Sequence, residues 1–210
     1  MSVLDQDKDV ARENLCRFLA ACFYQPGPEF AEERIFDSML DAAGRISPDL
    51  AVQVRGLGEQ FNAEAPERLL ADYTRLFLGP NQTLAKPYGS VWLEGEKSLM
   101  RGSSMAVLEL YEEGGFEIDE GFRELPDHVA AELEFLYLLT YRQNEARRNG
   151  AADALQAATR LKRRFLDEHL GRWIGPFTAA VVAGAQSGFY RQLAGLTERF
   201  VSMEANRAGD

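Results

Sequence analysis

The chain has 210 residues, of which 46% are hydrophobic and 27% are charged. This composition excludes an intrinsically disordered chain, and the length favours a single domain that spans residues 1–210. The formal net charge of −10 makes nucleic acid and anionic lipid poor partners and suits a cationic ligand, although acidic surfaces also serve solubility alone.

The amino-terminal residues lack both the basic start and the apolar run of a secretory signal, so we expect a cytoplasmic protein. Cys16 and Cys22 are the two cysteines, and on a helix their spacing turns the side chains roughly 240° apart. They lack C-x-x-C spacing and lie among apolar residues. The sequence therefore predicts buried free thiols and no disulfide.

Apolar residues recur at intervals of three and four along nearly the whole chain, which predicts an all-α fold. A first helix is predicted at 7–24, ending before a turn rich in proline and glycine. A second helix is predicted at 29–43. A third is predicted to begin at Pro48 with Ser47 as its N-cap, and a fourth is predicted at 66–78, ending before Gly79 and Pro80.

Residues 79–95 are predicted to form the longest irregular connection, because prolines and glycines recur there without a helical period. Ordered connections of this length are often functional. This connection would also allow helix exchange between copies, which leaves a monomer and a swapped homodimer both open. The helical pattern resumes at about 98–113.

A long helix is predicted from Pro126 to Asn149, because proline and Asp127 suit a first helical turn. A further helix is predicted at 152–170, ended by His169 and Gly171. Two more helices are expected to follow, which gives one irregular bundle of roughly eight to nine helices.

An uncharged stretch runs from Trp173 to Tyr190 and is the one segment that raises the question of a membrane span. Glycines and Pro176 interrupt it, so a buried helix pair is the better interpretation and we expect no stable membrane insertion.

The sequence contains no phosphate-binding loop, no dinucleotide-binding glycine motif and no nucleophile elbow. A metal-dependent helical enzyme would have to use Glu124, His128, Glu132 and His169, of which His128 and Glu132 are spaced to share a helical face. With two histidines and no H-E-x-x-H motif, a capped helix with a surface pair is the simpler interpretation. We expect no catalytic residues, no metal site and no cofactor.

A site for an apolar and basic peptide fits the pattern better. One helical face carries Tyr73, Leu76 and Phe77, and the connection that follows carries Pro87, Tyr88 and Trp92. For Leu76 and Phe77 the alternative is that an aromatic stripe at helical spacing is simply core. The carboxylates that could pair with arginines are Glu94, Glu96, Glu124 and Asp127.

The stretch YTRLFLGPNQTLAKPYGSVWLEGE, residues 73–96, resembles the TorD/DmsD family of redox-enzyme maturation chaperones, whose members carry LF-x-GP and then a P-[WY]-GSV-type loop. ELPDHVAAELEFL, residues 124–136, is similar to the family's E-x-PDH-x-x-x-EL signature. FLDEHLGRW and GFYRQLAGL, between residues 165 and 196, resemble its HL-x-x-W and FY-x-x-LA ending. The four elements occur in the family's order.

The resemblance implies an all-helical, non-catalytic cytoplasmic chaperone. Such proteins bind the twin-arginine signal peptide of a molybdopterin oxidoreductase of the DMSO/TMAO reductase type, and they delay export until its cofactor is installed. Its catalytic subunit would then be the partner. The alternatives are an assembly factor of the nitrate reductase type and the metal-dependent enzyme.

Carried over position by position, the family's peptide-binding residues would be Tyr73, Leu76, Phe77, Pro87, Tyr88, Asp127 and His128. The residue pattern adds Trp92, Glu94 and Glu124 to this set. The family's common Pro-Pro before the loop aromatic is Lys86-Pro87 here, and the aromatic is Tyr88 rather than tryptophan, which leaves the preferred signal peptide open.

Overall fold

A computed structural model describes residues 3–27, 30, 34–79, 83–94, 102–119, 121 and 123–209. Within these residues the chain forms nine helices and no strands, which confirms the all-α prediction. Glu96 and Pro80, together with the predicted helix starts at 29 and 98, lie outside the described residues.

The helices are numbered here in chain order, and a helix that continues through a π-helical turn is counted once: α1 Val3–Cys22, α2 Ile35–Ile46, α3 Pro48–Ala63, α4 Pro66–Tyr73 with the π-helical turn Thr74–Leu78, α5 Gly89–Glu94, α6 Gly102–Glu113, α7 Val129–Arg148, α8 Ala152–Phe165 and Gly171–Gly184 joined by the π-helical turn Leu166–Leu170, and α9 Gly188–Gly209.

The start of α3 and both ends of α4 lie where the sequence predicts them. Ser47 accepts a hydrogen bond from the Leu50 N–H at 3.2 Å and caps α3, whose first residue is Pro48. The fourth helix begins at Pro66 and its π-helical turn ends at Leu78, as predicted. These ends are set by residues next to one another in sequence.

The core is one cluster that runs through the bundle, with α7 packed against α1 and α8, and α9 packed against α8 and α3. Its largest buried side chains are aromatic, and they include Trp173, Tyr111 and Tyr190. The uncharged stretch after Trp173 forms the end of α8 and the start of α9, as the buried-pair interpretation predicts. No helix in the described part of the chain has the length and apolar character that crossing a membrane requires.

Both cysteines are buried and free, which confirms the prediction of two unpaired thiols. Burial raises the pKa of the Cys16 thiol and of the Cys22 thiol to about 12. Neither thiol is therefore ionised near neutral pH, and both behave as small apolar side chains.

The predicted start of the long helix at Pro126 is wrong. Helix α7 begins at Val129, because Pro126 and Asp127 lie in a turn and His128 has an extended backbone with φ −68° and ψ 139°. The Pro126 carbonyl accepts a hydrogen bond from the Tyr111 hydroxyl at 2.9 Å, which holds that turn against α6.

Further boundaries differ from the prediction, and α1 occupies Val3–Cys22 where 7–24 was predicted. The connection at 79–95 contains the short helix α5, and α2 continues through Gly44 to Ile46. The helix predicted to end at His169 and Gly171 continues into the second half of α8. The Gly171 N–H donates to the Leu166 carbonyl in the π-helical turn, and a side chain at Gly171 would collide with that carbonyl oxygen. Glycine therefore allows the helix to continue here.

Candidate functional site

The candidate site begins where the connection before α5 meets the turn before α7. Tyr88 and His128 form an isolated antiparallel bridge, in which the Gly89 N–H donates to the Asp127 carbonyl at 2.9 Å. The Val129 N–H donates to the Pro87 carbonyl at 2.8 Å. This pairing joins the sequence element at 73–96 to the element at 124–136.

Asp127 is fully buried and caps the start of α5. Its Oδ2 accepts a hydrogen bond from the Ser90 N–H at 2.8 Å, so the cap of this helix comes from a residue 37 positions away. The other carboxylate oxygen, Oδ1, and the Ser90 hydroxyl are both buried without a hydrogen-bond partner among the described residues. Asp127 therefore supports the site from behind its surface.

His128 is the N-cap of α7 and is almost completely buried. Its Nδ1 accepts a hydrogen bond from the Ala130 N–H at 3.2 Å. Burial lowers the pKa of His128 to about 4, although the charges of Glu124 and Asp127 act in the opposite direction. The imidazole is therefore neutral at pH 7 and acts as an acceptor.

Tyr88 and Glu124 form the outer edge of the site. The Tyr88 hydroxyl donates to Glu124 Oε2 at 2.6 Å, and the Tyr88 ring packs edge-on against His128 with centroids 5.5 Å apart. Burial, and then the hydrogen bond to Glu124 and its charge, raise the pKa of the Tyr88 hydroxyl well above its usual range. Tyr88 is half-buried and Glu124 is exposed, so a carboxylate is held beside an aromatic ring at the surface.

Trp92 and Glu94 lie further along α5. Trp92 is half-buried, donates from Nε1 to the Lys86 carbonyl at 2.8 Å, and packs against Phe177 with ring centroids 6.3 Å apart. Glu94 is exposed and accepts a hydrogen bond from the Ser103 N–H at the start of α6. Both residues therefore hold α5 to its neighbours.

The other residues of the predicted set lie deeper. Leu76 is fully buried, Phe77 is 4% exposed and Tyr73 is 7% exposed. The Phe77 ring packs against Phe23 and Tyr190 with centroids 6.2 and 5.6 Å away. The structure thus places Leu76 and Phe77 in the core, the alternative that the sequence left open for them, and Pro87 is buried as well. Direct contact of these residues with a peptide stays a prediction.

Glu132 connects the site to α8. Its Oε1 lies 2.9 Å from His169 Nε2, and its Oε2 accepts a hydrogen bond from Trp173 Nε1 at 3.0 Å. All three side chains are buried. Burial opposes a charge on His169, but the Glu132 carboxylate outweighs it and raises the His169 pKa. The pattern E-x-PDH-x-x-x-EL and the pattern HL-x-x-W therefore meet at one buried carboxylate.

The metal-enzyme alternative required Glu124, His128, Glu132 and His169 to act together. Glu124 instead pairs with Tyr88, His128 caps α7, and only Glu132 and His169 are paired with each other. Across the described residues, no group of three or more histidine, cysteine or acidic side chains could hold a metal ion.

Sequence reasoning missed several residues around this site. The Tyr24 hydroxyl donates to Glu134 Oε1 at 2.7 Å, although the two are 110 positions apart. Gly89 lies against Glu132 and Trp173. No local pattern in the sequence signals these contacts, because each joins segments that are distant in the chain.

Comparison with known proteins matches the sequence of this chain to a family. A sequence model described as the nitrate reductase delta subunit matches residues 43–179. The perchlorate reductase assembly chaperone protein of Dechloromonas aromatica is 30% identical over 207 residues, which cover 93% of this chain and 88% of that protein. The chaperone protein TorD of Aliivibrio fischeri is 28% identical over 163 residues, which cover 75% of this chain and 74% of TorD.

A solved structure has the same fold. It is a crystal structure of an Archaeoglobus fulgidus protein described as a candidate redox enzyme maturation protein, with a TM-score of 0.55 and 22% identity over 91% of this chain and 93% of that one. The chain therefore belongs to the nitrate reductase delta subunit family, the group of redox-enzyme maturation proteins that includes TorD. The resemblance drawn from the sequence is confirmed.

Proposed function

We propose that this chain is a cytoplasmic assembly chaperone that binds the twin-arginine signal peptide of a molybdopterin oxidoreductase of the DMSO/TMAO reductase type. It would hold the catalytic subunit back from export until the cofactor is inserted and the subunit has folded. The relatives from D. aromatica and A. fischeri carry chaperone names. The observation that supports the proposal most directly is that two of the family elements, at 73–96 and 124–136, meet at Tyr88, His128 and Glu124.

The surface edge of the site has the chemistry that an arginine requires. A guanidinium group binds carboxylates through planar pairs of hydrogen bonds and stacks on aromatic rings. Glu124 supplies an exposed carboxylate whose orientation is fixed by the Tyr88 hydroxyl, and the ring of Tyr88 stands beside it. The chain's net charge of −10 would also draw a basic peptide toward the protein.

The apolar part of a signal peptide would lie along α5, where Trp92 is half-buried. The buried members of the predicted set would act as the support of this surface. The Leu76 backbone carbonyl, for example, accepts a hydrogen bond from the Ala85 N–H at 2.9 Å. This bond connects the end of α4 to the segment that carries Pro87 and Tyr88. On this account Leu76 and Phe77 shape the site, and Tyr88, Trp92 and Glu124 contact the peptide.

Binding of a client precursor tests the proposal. The purified protein is immobilised and exposed, by biolayer interferometry, to the full-length catalytic subunit of a molybdoenzyme from the same genome and to the same subunit without its signal peptide. We expect the full-length precursor to bind at least ten-fold more tightly. Equal affinity for the two forms would show that the signal peptide is not recognised.

A client of the nitrate reductase type is the second candidate, and the family model that matches residues 43–179 favours it. A nitrate reductase catalytic subunit is therefore included in the same assay. Tighter binding of that subunit than of any DMSO/TMAO-type precursor would assign this client class. Elemental analysis of the purified protein tests the third candidate, the metal-dependent enzyme, which one bound metal per chain would support.

A further inference from the structure

We propose that Glu132 is a positioning residue for the peptide site: together with Trp173 it forms a buried wall on which Gly89 lies, and this contact sets the position of Tyr88 and α5. The inference rests on the proposed function, because its consequence is measured as peptide affinity. A second measurement, made without peptide, separates the two.

The contact at Gly89 is closer than a side chain permits. A Cβ atom at this position would lie 2.9 Å from Trp173 Nε1 and 3.0 Å from Glu132 Oε1. Gly89 is not among the described glycines with positive φ, so its backbone conformation suits other residues. Glycine is therefore required here by the wall and not by the backbone.

The wall itself is fixed from both sides. One carboxylate oxygen of Glu132 is hydrogen-bonded to His169 at 2.9 Å and the other to Trp173 at 3.0 Å. Glu132 and Trp173 are 0% exposed, and the His169 side chain is 3% exposed. The carboxylate cannot turn away from Gly89 without breaking buried hydrogen bonds, which are costly to lose. It therefore forms a rigid surface.

The residues on both sides of Gly89 make the contacts that form the surface of the site. Tyr88, which precedes it, reaches Glu124, and Ser90, which follows it, is bonded to Asp127. Trp92 lies one helical turn further and is bonded to the Lys86 carbonyl. A shift of Gly89 away from the wall would therefore move the Tyr88 phenol relative to Glu124 and tilt α5.

A double-mutant cycle tests this coupling. Gly89→Ala pushes the segment away from the wall, and Glu132→Ala removes the carboxylate part of the wall and the hydrogen bond that fixes Trp173. We expect each single variant to bind a twin-arginine signal peptide at least five-fold more weakly. The double variant should bind more tightly than the product of the two losses predicts, because the added methyl group occupies the space that Glu132 vacates. Losses that simply multiply would contradict a contact between the two positions.

Two further variants act as controls. Gly195→Ala adds the same methyl group to α9 at a position with nothing within 4 Å, and it should bind like the wild type. Glu132→Gln keeps the size of the side chain and an acceptor for Trp173 but not the carboxylate beside His169, and it should recover most of the affinity that Glu132→Ala loses. If Glu132→Ala does not fold, Glu132→Gln replaces it in the cycle, and the comparison of Gly89→Ala with Gly195→Ala still tests whether the wall positions Gly89.

The indole N–H signals in a nitrogen-15 NMR spectrum give the measurement without peptide. The chain has two tryptophans, Trp92 and Trp173, so Trp92→Phe assigns both signals. We expect Gly89→Ala to shift the Trp92 signal and Gly195→Ala to leave it in place. An unmoved Trp92 signal in Gly89→Ala would overturn the inference even if the wild type binds peptide. A shifted signal in a protein that binds no peptide would retain the positioning and reject the proposed function.

Discussion

Tyr88 donates a hydrogen bond of 2.6 Å to Glu124, and through it two sequence elements 36 positions apart meet at the protein surface. The aromatic ring is half-buried against His128, while the carboxylate is exposed. An exposed carboxylate that a phenol holds in one orientation is better prepared for a guanidinium group than a freely rotating glutamate.

The first prediction concerns Glu124. Because this carboxylate is exposed, Glu124→Gln should weaken binding of an arginine-containing signal peptide by about two- to five-fold, and the loss should shrink as salt is added. Calorimetric titrations at low and high salt measure it. Glu59→Gln, which changes an exposed carboxylate on α3, is the matched control. Equal losses for the two variants would reduce the role of Glu124 to net charge.

The second prediction separates core from surface. Phe77→Ala should cost about 3–5 kcal/mol of unfolding free energy, because the ring is 4% exposed and packs among several aromatic rings. Tyr88→Ala should cost much less, since Tyr88 is half-buried, and should act mainly on peptide affinity. Urea denaturation of both variants measures the difference. A larger loss of stability in Tyr88→Ala would place Tyr88 in the core.

The third prediction concerns pH. The pKa of His128 is lowered from 6.5 to about 4 by burial, so in that interval the unfolded chain binds a proton that the folded chain does not. The His128 contribution to stability is therefore complete above pH 6.5 and is lost as the pH falls toward 4, by up to about 3 kcal/mol. In His128→Asn, whose side chain can still cap α7, stability should fall less steeply in this interval.

Denaturation curves across this pH range measure the free energy of unfolding of the wild type and of His128→Asn. The difference between the two separates the titration of His128 from that of the carboxylates, which both proteins share. His169 has the opposite sign, since its raised pKa stabilises the fold at low pH and that contribution is lost as the pH rises through it. Parallel pH profiles for wild type and His128→Asn would contradict the assignment of a neutral, buried His128.

The fourth prediction concerns Asp72, which holds the turn before α9, where the Ser187 hydroxyl accepts from the Tyr190 N–H. Its carboxylate accepts hydrogen bonds from Gln186 N, from both N and Oγ of Ser187 at 2.8 Å each, and from Arg75 at 2.6 Å. Burial alone would raise the Asp72 pKa, but these hydrogen bonds outweigh it and lower the pKa. Asp72→Ala leaves buried donors unsatisfied and should cost about 2–4 kcal/mol.

Asp41→Ala is the matched control, because Asp41 is exposed and pairs with Arg45 at 3.2 Å, and the change should alter stability by less than about 1 kcal/mol. The stabilisation by Asp72 is present above its unfolded pKa of 3.8 and is lost as the pH falls through the lowered folded value. Chemical denaturation of both variants measures the two losses of stability, and similar losses would contradict the role of Asp72 in holding the turn before α9.

The sequence predicted those parts of the fold that depend on neighbouring residues. Ser47 and Pro48 start a helix by local geometry alone, so that start was predicted correctly. Helix α5 was missed because its cap is Asp127, which is 37 positions away in the chain. The end predicted at Gly171 was wrong because glycine there relieves a close contact within a π-helical turn and does not terminate the helix.

The sequence likewise predicted some residues of the candidate site and missed the role of others. Tyr88 and Glu124 were identified from residue types that suit a peptide surface, and the structure brings them together. Glu132 and His169 were grouped with Glu124 and His128 in the sequence only as a metal-site alternative, whereas in the structure His169 is bonded to Glu132, which lies against Gly89. That role depends on the packing of α5 between α7 and α8, which no local pattern encodes.

The central claim is that this protein recognises a twin-arginine signal peptide. Its most direct test is a calorimetric titration with the signal peptides of the molybdoenzymes encoded in the same genome, each beside a version in which both arginines are replaced by lysine. The account predicts saturable binding that favours one native peptide and weakens when its arginines are replaced. Binding to none of these peptides, or equal binding of the native and replaced versions, would contradict it.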